Sequence, residues 1–315
     1  MFGARGVNAI IVVLGASGKT GRAVVEGIRH VSAVRLVMRS ATAQAHGLEV
    51  ARARLSDDVE LGRAVKGAQA LYAILPDDFR AEAFHASRRA MAEAMTRAIR
   101  REGVGRVVLV SSAAAVLGEG GNGFGADLAY FERLLSDTNA AVTILRASYF
   151  QDNALMALPP AQQDGVYPNF FATRDRPLTT VAACDVGKIA AAALLEPPRA
   201  RREVVDLVGP AYSAEQMSAL LAESIGRPLS IVDVPREHSA SRADSHSHSR
   251  NRRRRTWPYS AGWASAGRSH SSFEWLAELA DRFEVRRAAH KRRQEIVSER
   301  VALLDLFERA QDRLP

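Results

Sequence analysis

The chain has 315 residues, 47% apolar and 25% charged, enough to bury a sizeable core in one large domain or two smaller ones. Its single cysteine, Cys184, excludes internal disulfides and suits a reducing cytoplasm, and no apolar run approaches a membrane span or a signal peptide. Most of the formal net charge of +8 falls after Pro235, which leaves the rest close to neutral.

The apolar run at residues 9–14 reads as a buried strand. It leads into Gly15-Ala16-Ser17-Gly18-Lys19-Thr20-Gly21 and then into a helical pattern over residues 22–29. A dinucleotide site needs that order, because the turn must be tight and the backbone must approach a pyrophosphate at a helix N-terminus. Gly15, Ser17, Gly18, Lys19, Thr20 and Gly21 are therefore candidate cofactor contacts. The pair Gly18-Lys19 does not make a triphosphate-binding loop, which needs a glycine five residues earlier, where this chain has Val13.

A second strand is expected at residues 34–38, and Arg39 follows it. Proteins that bind NAD usually carry Asp or Glu at that place, whereas an arginine serves a 2′-phosphate. NADP(H) is accordingly preferred over NAD(H), with Lys19 as a second cation. Helical spacing continues over residues 56–65, 84–102, 127–136 and 185–195, and short apolar strands are expected at 70–75, 106–110, 143–146 and 204–208. Asp185 reads as the N-cap of the last helix, and Pro197-Pro198 stops it. The alternation predicts an α/β fold, a Rossmann-type doubly wound parallel sheet with helices on both faces and ligands at the carboxyl ends of its strands.

The pattern stops near residue 236, so residues 1–235 are read as one domain. Residues 236–272 are rich in Ser, Arg and His around Arg252-Arg253-Arg254-Arg255 and are expected to be a disordered basic linker. Residues 273–315 read as a charged helical segment, the end of an irregular, partly helical C-terminal extension. The change in composition is abrupt enough for a replaced or frame-shifted end. A basic run can bind nucleic acid, but without a nucleic-acid-binding fold the solvated tail is the preferred reading. His30 and His46 lack partners at ligand spacing, His85 sits on an Arg-rich helix and is expected to be solvated, and no metal site is expected.

Four stretches together resemble the NmrA-like branch of the atypical short-chain dehydrogenase/reductases: the turn at 15–21, Val107 to Ser112, Thr143-Ile144-Leu145-Arg146-Ala147-Ser148-Tyr149-Phe150-Gln151-Asp152-Asn153, and residues 179–197. The resemblance spans about residues 8–235. It implies an NAD(P)-binding protein in which Leu75 and Pro76 pass the cofactor ribose, Ser111 lies near the nicotinamide, and Tyr149, Phe150 and Asn153 line the pocket beyond. The family's Gly-Asp-Leu segment corresponds to Ala53-Arg54-Leu55, so its adenine-side carboxylate is missing and adenine recognition is left to main-chain groups or to Asp57 or Asp58. The small helical substrate lobe with which the family continues after residue 235 is not recognisable in the sequence.

The Tyr-x-x-x-Lys pair of typical short-chain reductases is absent, since Tyr130 is followed by Leu134 and the place of the usual Lys or His is Leu128. Ser111, Tyr149 and Asn153 are the candidate catalytic residues, each with a plain capping or packing alternative. The sequence predicts a cytoplasmic NAD(P)H-dependent oxidoreductase acting on a quinone-like or small carbonyl substrate. The alternative is a non-catalytic NADP(H) sensor that binds a regulatory protein partner.

Overall fold

The computed structural model describes residues 10–39, 47–77, 83–120, 123–171 and 173–234. In chain order the first half contains β1 (Ile10–Leu14), α1 (Lys19–Ile28), β2 (Ala33–Met38), β3 (Glu49–Arg52), α2 (Asp58–Val65), β4 (Ala68–Ile74), α3 (Phe84–Glu102) and β5 (Arg106–Ser112). A 3₁₀ turn at Ala113–Leu117 precedes α4 (Phe124–Ser136), β6 (Ala141–Ala147) and β7 (Tyr149–Phe150). A second 3₁₀ segment, Gln151–Ala157, leads to α5 (Leu158–Asp164), β8 (Val166–Asn169), β9 (Leu178–Val181) and α6 (Ala183–Leu195). The described chain closes with β10 (Arg202–Leu207), β11 (Ala211–Tyr212), α7 (Ala214–Ile225) and β12 (Ser230–Asp233).

Seven strands form one parallel sheet in the order β10-β6-β5-β4-β1-β2-β3. The order reverses between β1 and β4, and such a switch opens a crevice at the carboxyl edge of the sheet. Alternate side chains of each strand face opposite layers. Val12 and Leu14 of β1 join α2, α3 and α4 in one core, while Ile11 and Val13 join α1 and α6 in the other. Strands buried on both faces read as continuous apolar runs, which is why the sheet was visible in the sequence. Each fully buried Leu, Val or Ile in these layers contributes about 1.5–3 kcal/mol.

Helices α1 and α6 approach so closely that a Cβ on Gly187 would lie 2.5 Å from the Thr20 carbonyl oxygen, and one on Gly27 would lie 2.7 Å from the Ala191 Cβ. That contact fixes the start of α1 relative to the sheet. A third core, around Ala161, Tyr167, Ala214, Met217 and Leu221, belongs to a small lobe over the carboxyl edge. In this lobe β12 pairs with β8, while β9 pairs with both β7 and β11.

Several boundaries differ from the sequence reading. Helix α1 begins at Lys19 and α4 at Phe124, each three residues before the apolar spacing shows it. Ala182 is the N-cap of α6, and Asp185 lies in its first turn, where it pairs with Lys188 at 3.0 Å instead of capping. The edge strand β3 was not expected. A small lobe that the sequence reading did not recognise is built from elements between residues 149 and 233, interleaved with α6 and β10 of the main sheet and its layers. The linker and helical segment expected over residues 236–315 lie outside the described residues.

Candidate cofactor site

The glycine turn sits at the carboxyl end of β1, beside the switch point. Gly15 has φ +66°, a left-handed conformation that a side chain would strain, and its carbonyl accepts the Gly18 amide at 3.0 Å. A Cβ on Gly21 would lie 2.3 Å from that same carbonyl oxygen, so the first turn of α1 packs directly on the loop. Gly18 is the N-cap of α1 and has no side chain to occupy the first-turn amides. These amides and the positive end of the helix dipole are what a pyrophosphate requires.

Not every candidate side chain here is available. Thr20 is buried and its hydroxyl accepts from the Tyr72 hydroxyl at 2.8 Å, so it braces the turn against β4. Ser17 is exposed, and its carbonyl accepts from Arg22 Nε at 3.0 Å. Lys19 reaches across to Asp152, with Nζ 3.4 Å from Oδ1. Arg39 stands exposed past the end of β2, without a hydrogen bond or ion pair to another described residue. Asp57 caps α2 by accepting from the Val59 and Glu60 amides at 3.0 Å each, and the Glu60 amide bond leads in holding its carboxyl below the usual range. Arg54, in the place of the missing family aspartate, pairs with Glu60 and Asp57.

Leu75 and Pro76 follow β4 at the edge of the crevice, and both carbonyls accept from Arg88 Nη1 at 3.3 Å. Ser111 projects toward α4, not into the open edge. It is 3% exposed, and its hydroxyl donates to Glu132 Oε1 at 2.6 Å. Glu132 is in turn gripped by Arg146, with Nε at 3.1 Å and Nη2 at 2.6 Å. Ser112 caps the following 3₁₀ turn through the Ala114 amide at 3.1 Å. Tyr130, the tyrosine of the incomplete Tyr-x-x-x-Lys pattern, donates to Glu93 at 2.6 Å. Among these hydroxyls, Ser111 and Tyr130 donate their protons to carboxylates.

Tyr149 lies beneath the small lobe. Its ring meets Phe171 edge-on with centroids 5.4 Å apart, it shares a hydrogen bond with Asn153, and burial drives its phenol pKa well up. The structure thus brings Tyr149 and Asn153 together, with Asp152 between them bound to Lys19 of the turn. Asp152 Oδ2 also accepts the Ala183 amide at 2.9 Å, which holds the start of α6.

One feature escaped the sequence reading. His85 is not merely solvated: its Nδ1 lies 2.7 Å from Asp127 Oδ2. Asp127 is fully buried and also meets Arg88 and Arg89, each at 3.2 Å. Among the described residues no group of His, Cys, Asp and Glu could hold a metal ion, and no helix is long and apolar enough to cross a membrane.

The site can be set beside known proteins. A family model described as NAD(P)H-binding matches residues 15–197. The chain is 26% identical over 228 residues to a (4-alkanoyl-5-oxo-2,5-dihydrofuran-3-yl)methyl phosphate reductase of Streptomyces griseus, covering 70% of this chain and 75% of the relative. Its fold resembles a nucleoside-diphosphate-sugar epimerase of Staphylococcus aureus, with TM-score 0.68, 17% identity, and 96% and 100% of the two chains covered. It also resembles an NADPH-dependent quinone oxidoreductase of Escherichia coli in complex with NADPH, with TM-score 0.63, 22% identity, and 86% and 94% covered.

Proposed function

Because the chain belongs to the NAD(P)H-binding family, we propose that it is an NADPH-dependent reductase of quinone-like compounds or small conjugated carbonyls. One observation carries this reading: the uncapped start of α1 at the switch point is linked through Lys19 and Asp152 to the Tyr149–Asn153 segment, so dinucleotide and acceptor would meet at one edge. The Streptomyces relative is named for an oxo-dihydrofuran, a ring whose carbonyl is conjugated to a double bond, and the Escherichia coli neighbour for quinones. Both acceptors spread incoming charge over a conjugated system. Such substrates suit a protein without a Tyr-x-x-x-Lys pair.

The residues fit the cofactor. Amides of Gly18 and the first turn of α1 would face its pyrophosphate, Arg39 its 2′-phosphate, and the Leu75–Pro76 backbone its ribose. When bound, the dihydronicotinamide supplies the hydride, and the protein supplies position. Tyr149, kept protonated by burial, would offer a hydrogen bond to the acceptor without itself titrating, and Asn153 would hold the phenol in place.

A second reading, an NADP(H) sensor, draws on the commitment of the Ser111 and Tyr130 hydroxyls to Glu132 and Glu93. A panel of quinones and unsaturated lactones separates the two. A reductase oxidises NADPH only when an acceptor is present, and the double variant Tyr149→Ala, Asn153→Ala loses turnover while NADPH affinity stays nearly constant. Cofactor binding with no oxidation by any acceptor would replace the reductase with the sensor.

A further inference from the structure

The ion cluster at the carboxyl edge has no evident need to be where it is. Arg88 is 1% exposed and Asp127 is fully buried, and burying charges in this way stabilises a protein weakly against an apolar alternative. The cluster does have a direction. Arg88 grips the Leu75 and Pro76 carbonyls and the Asp77 carboxylate on one side, and donates through Nε to Asp127 Oδ2 at 3.2 Å on the other. The same oxygen receives His85 Nδ1 at 2.7 Å. His85 is therefore three hydrogen bonds, through Asp127 and Arg88, from the backbone that borders the cofactor crevice. It stands in the first turn of α3, Asp127 stands in the first turn of α4, and both turns open on the carboxyl edge.

A carboxylate between two guanidinium groups can only accept, so Nδ1 carries a proton, and the other ring nitrogen is turned outward on a side chain that is 31% exposed. His85 Nε2 makes no hydrogen bond to another described residue. An imidazole oriented in this way by a buried carboxylate is the arrangement used for directed proton transfer.

Resting on the reductase reading above, we propose that His85 is the proton donor to the reduced acceptor and that Asp127 is its positioning residue. The balance is simple. A hydride, with its electron pair, is taken up by the conjugated acceptor, whose carbonyl π pair moves onto oxygen; the Nε2 proton of the His85 imidazolium passes to that oxygen, and water returns a proton to the ring. The cofactor is oxidised by two electrons and the acceptor reduced by two. The charged groups that face the ring are Asp127 from α4, Arg88 and Arg89 from α3, and Asp77 through Arg88.

Two measurements test this. In the protein without cofactor, the ¹⁵N spectrum of the histidine rings should show neutral His85 as the Nδ1–H tautomer; the Nε2–H tautomer, usual in solution, would overturn the assignment. In the second, His85→Gln is compared with the native protein on a quinone, which needs a hydride and a proton, and on a cationic triarylmethane dye, which needs only a hydride. The expected result is a quinone rate at least about tenfold lower relative to the dye rate, with NADPH affinity within about twofold. An unchanged ratio of quinone rate to dye rate would exclude His85 as the donor while leaving the reductase reading intact. A native protein that oxidises NADPH with neither acceptor would overturn both.

Discussion

Lys19 Nζ lies 3.4 Å from Asp152 Oδ1 and joins residues 133 positions apart in the chain. The pair ties the glycine turn to the segment proposed to shape the acceptor space. Lys19 is 58% exposed, so the ion pair itself contributes little to stability. The other oxygen of Asp152 matters more, because it accepts the first free amide of α6. Asp152→Ala should lower the unfolding free energy by about 0.5–2 kcal/mol while leaving NADPH affinity equal or tighter, since Lys19 is released toward the phosphates. Urea unfolding alongside a cofactor titration checks both halves, and unaltered stability would remove the capping role.

Two glycines of the turn should behave differently. A Cβ on Gly18 would lie 3.3 Å from the Gly15 carbonyl oxygen, whereas one on Gly21 would lie 2.3 Å from it. Gly18→Val should keep the fold and abolish cofactor binding by covering the amides, but Gly21→Ala should lose binding and melting temperature together. Circular dichroism with a binding titration distinguishes them, and retained binding in Gly18→Val would contradict the site.

Arg39 is the main basis for favouring the phosphorylated cofactor, since Lys19 is engaged with Asp152. A charge-assisted contact contributes about 1.5–3 kcal/mol, or roughly tenfold or more in affinity. Arg39→Asp should weaken NADPH by at least that factor and spare or improve NADH. Equal affinity of the native protein for the two cofactors would contradict the preference.

The fold was legible where burial is two-sided. The strand at residues 10–14 is a continuous apolar run, those at 106–112 and 141–147 are built around the apolar stretches 107–110 and 144–145, and the glycine turn follows the first of them in an order that suits a helix start. Edge strand β3 was not legible, because its Glu49-Val50-Ala51-Arg52 alternates weakly and lies at the rim. The small lobe was hidden for another reason: its strands are as short as two residues, and Pro159 and Pro160 interrupt the sequence where α5 begins. The site was legible at the turn but not at His85, whose partner is 42 residues away on another helix. An Arg-rich helix face reads as solvated until its counter-charge is placed beside it. Ser111 shows the converse, since its position at a strand end was visible but its commitment to Glu132 was not.

Burial raises the phenols of Tyr72, Tyr149 and Tyr167 above the ordinary value of 10.0. The unfolded chain ionises them first, so their contribution is fully present below about pH 10 and is lost as pH rises toward their folded values. Stability should be flat from pH 8 to about 10 and then fall. The fall should be shallower in Tyr167→Phe, which removes one such group from the third core. Denaturant midpoints across that range provide the check, and identical slopes in both proteins would contradict it.

The most direct test is acceptor-dependent NADPH oxidation by the native protein and by Gly18→Val, measured side by side with a quinone. The native protein should oxidise NADPH only when the quinone is present, and Gly18→Val, still folded, should be silent. A native protein that binds NADPH but transfers nothing to any quinone or unsaturated lactone, or a Gly18→Val protein as active as the native one, would contradict the account.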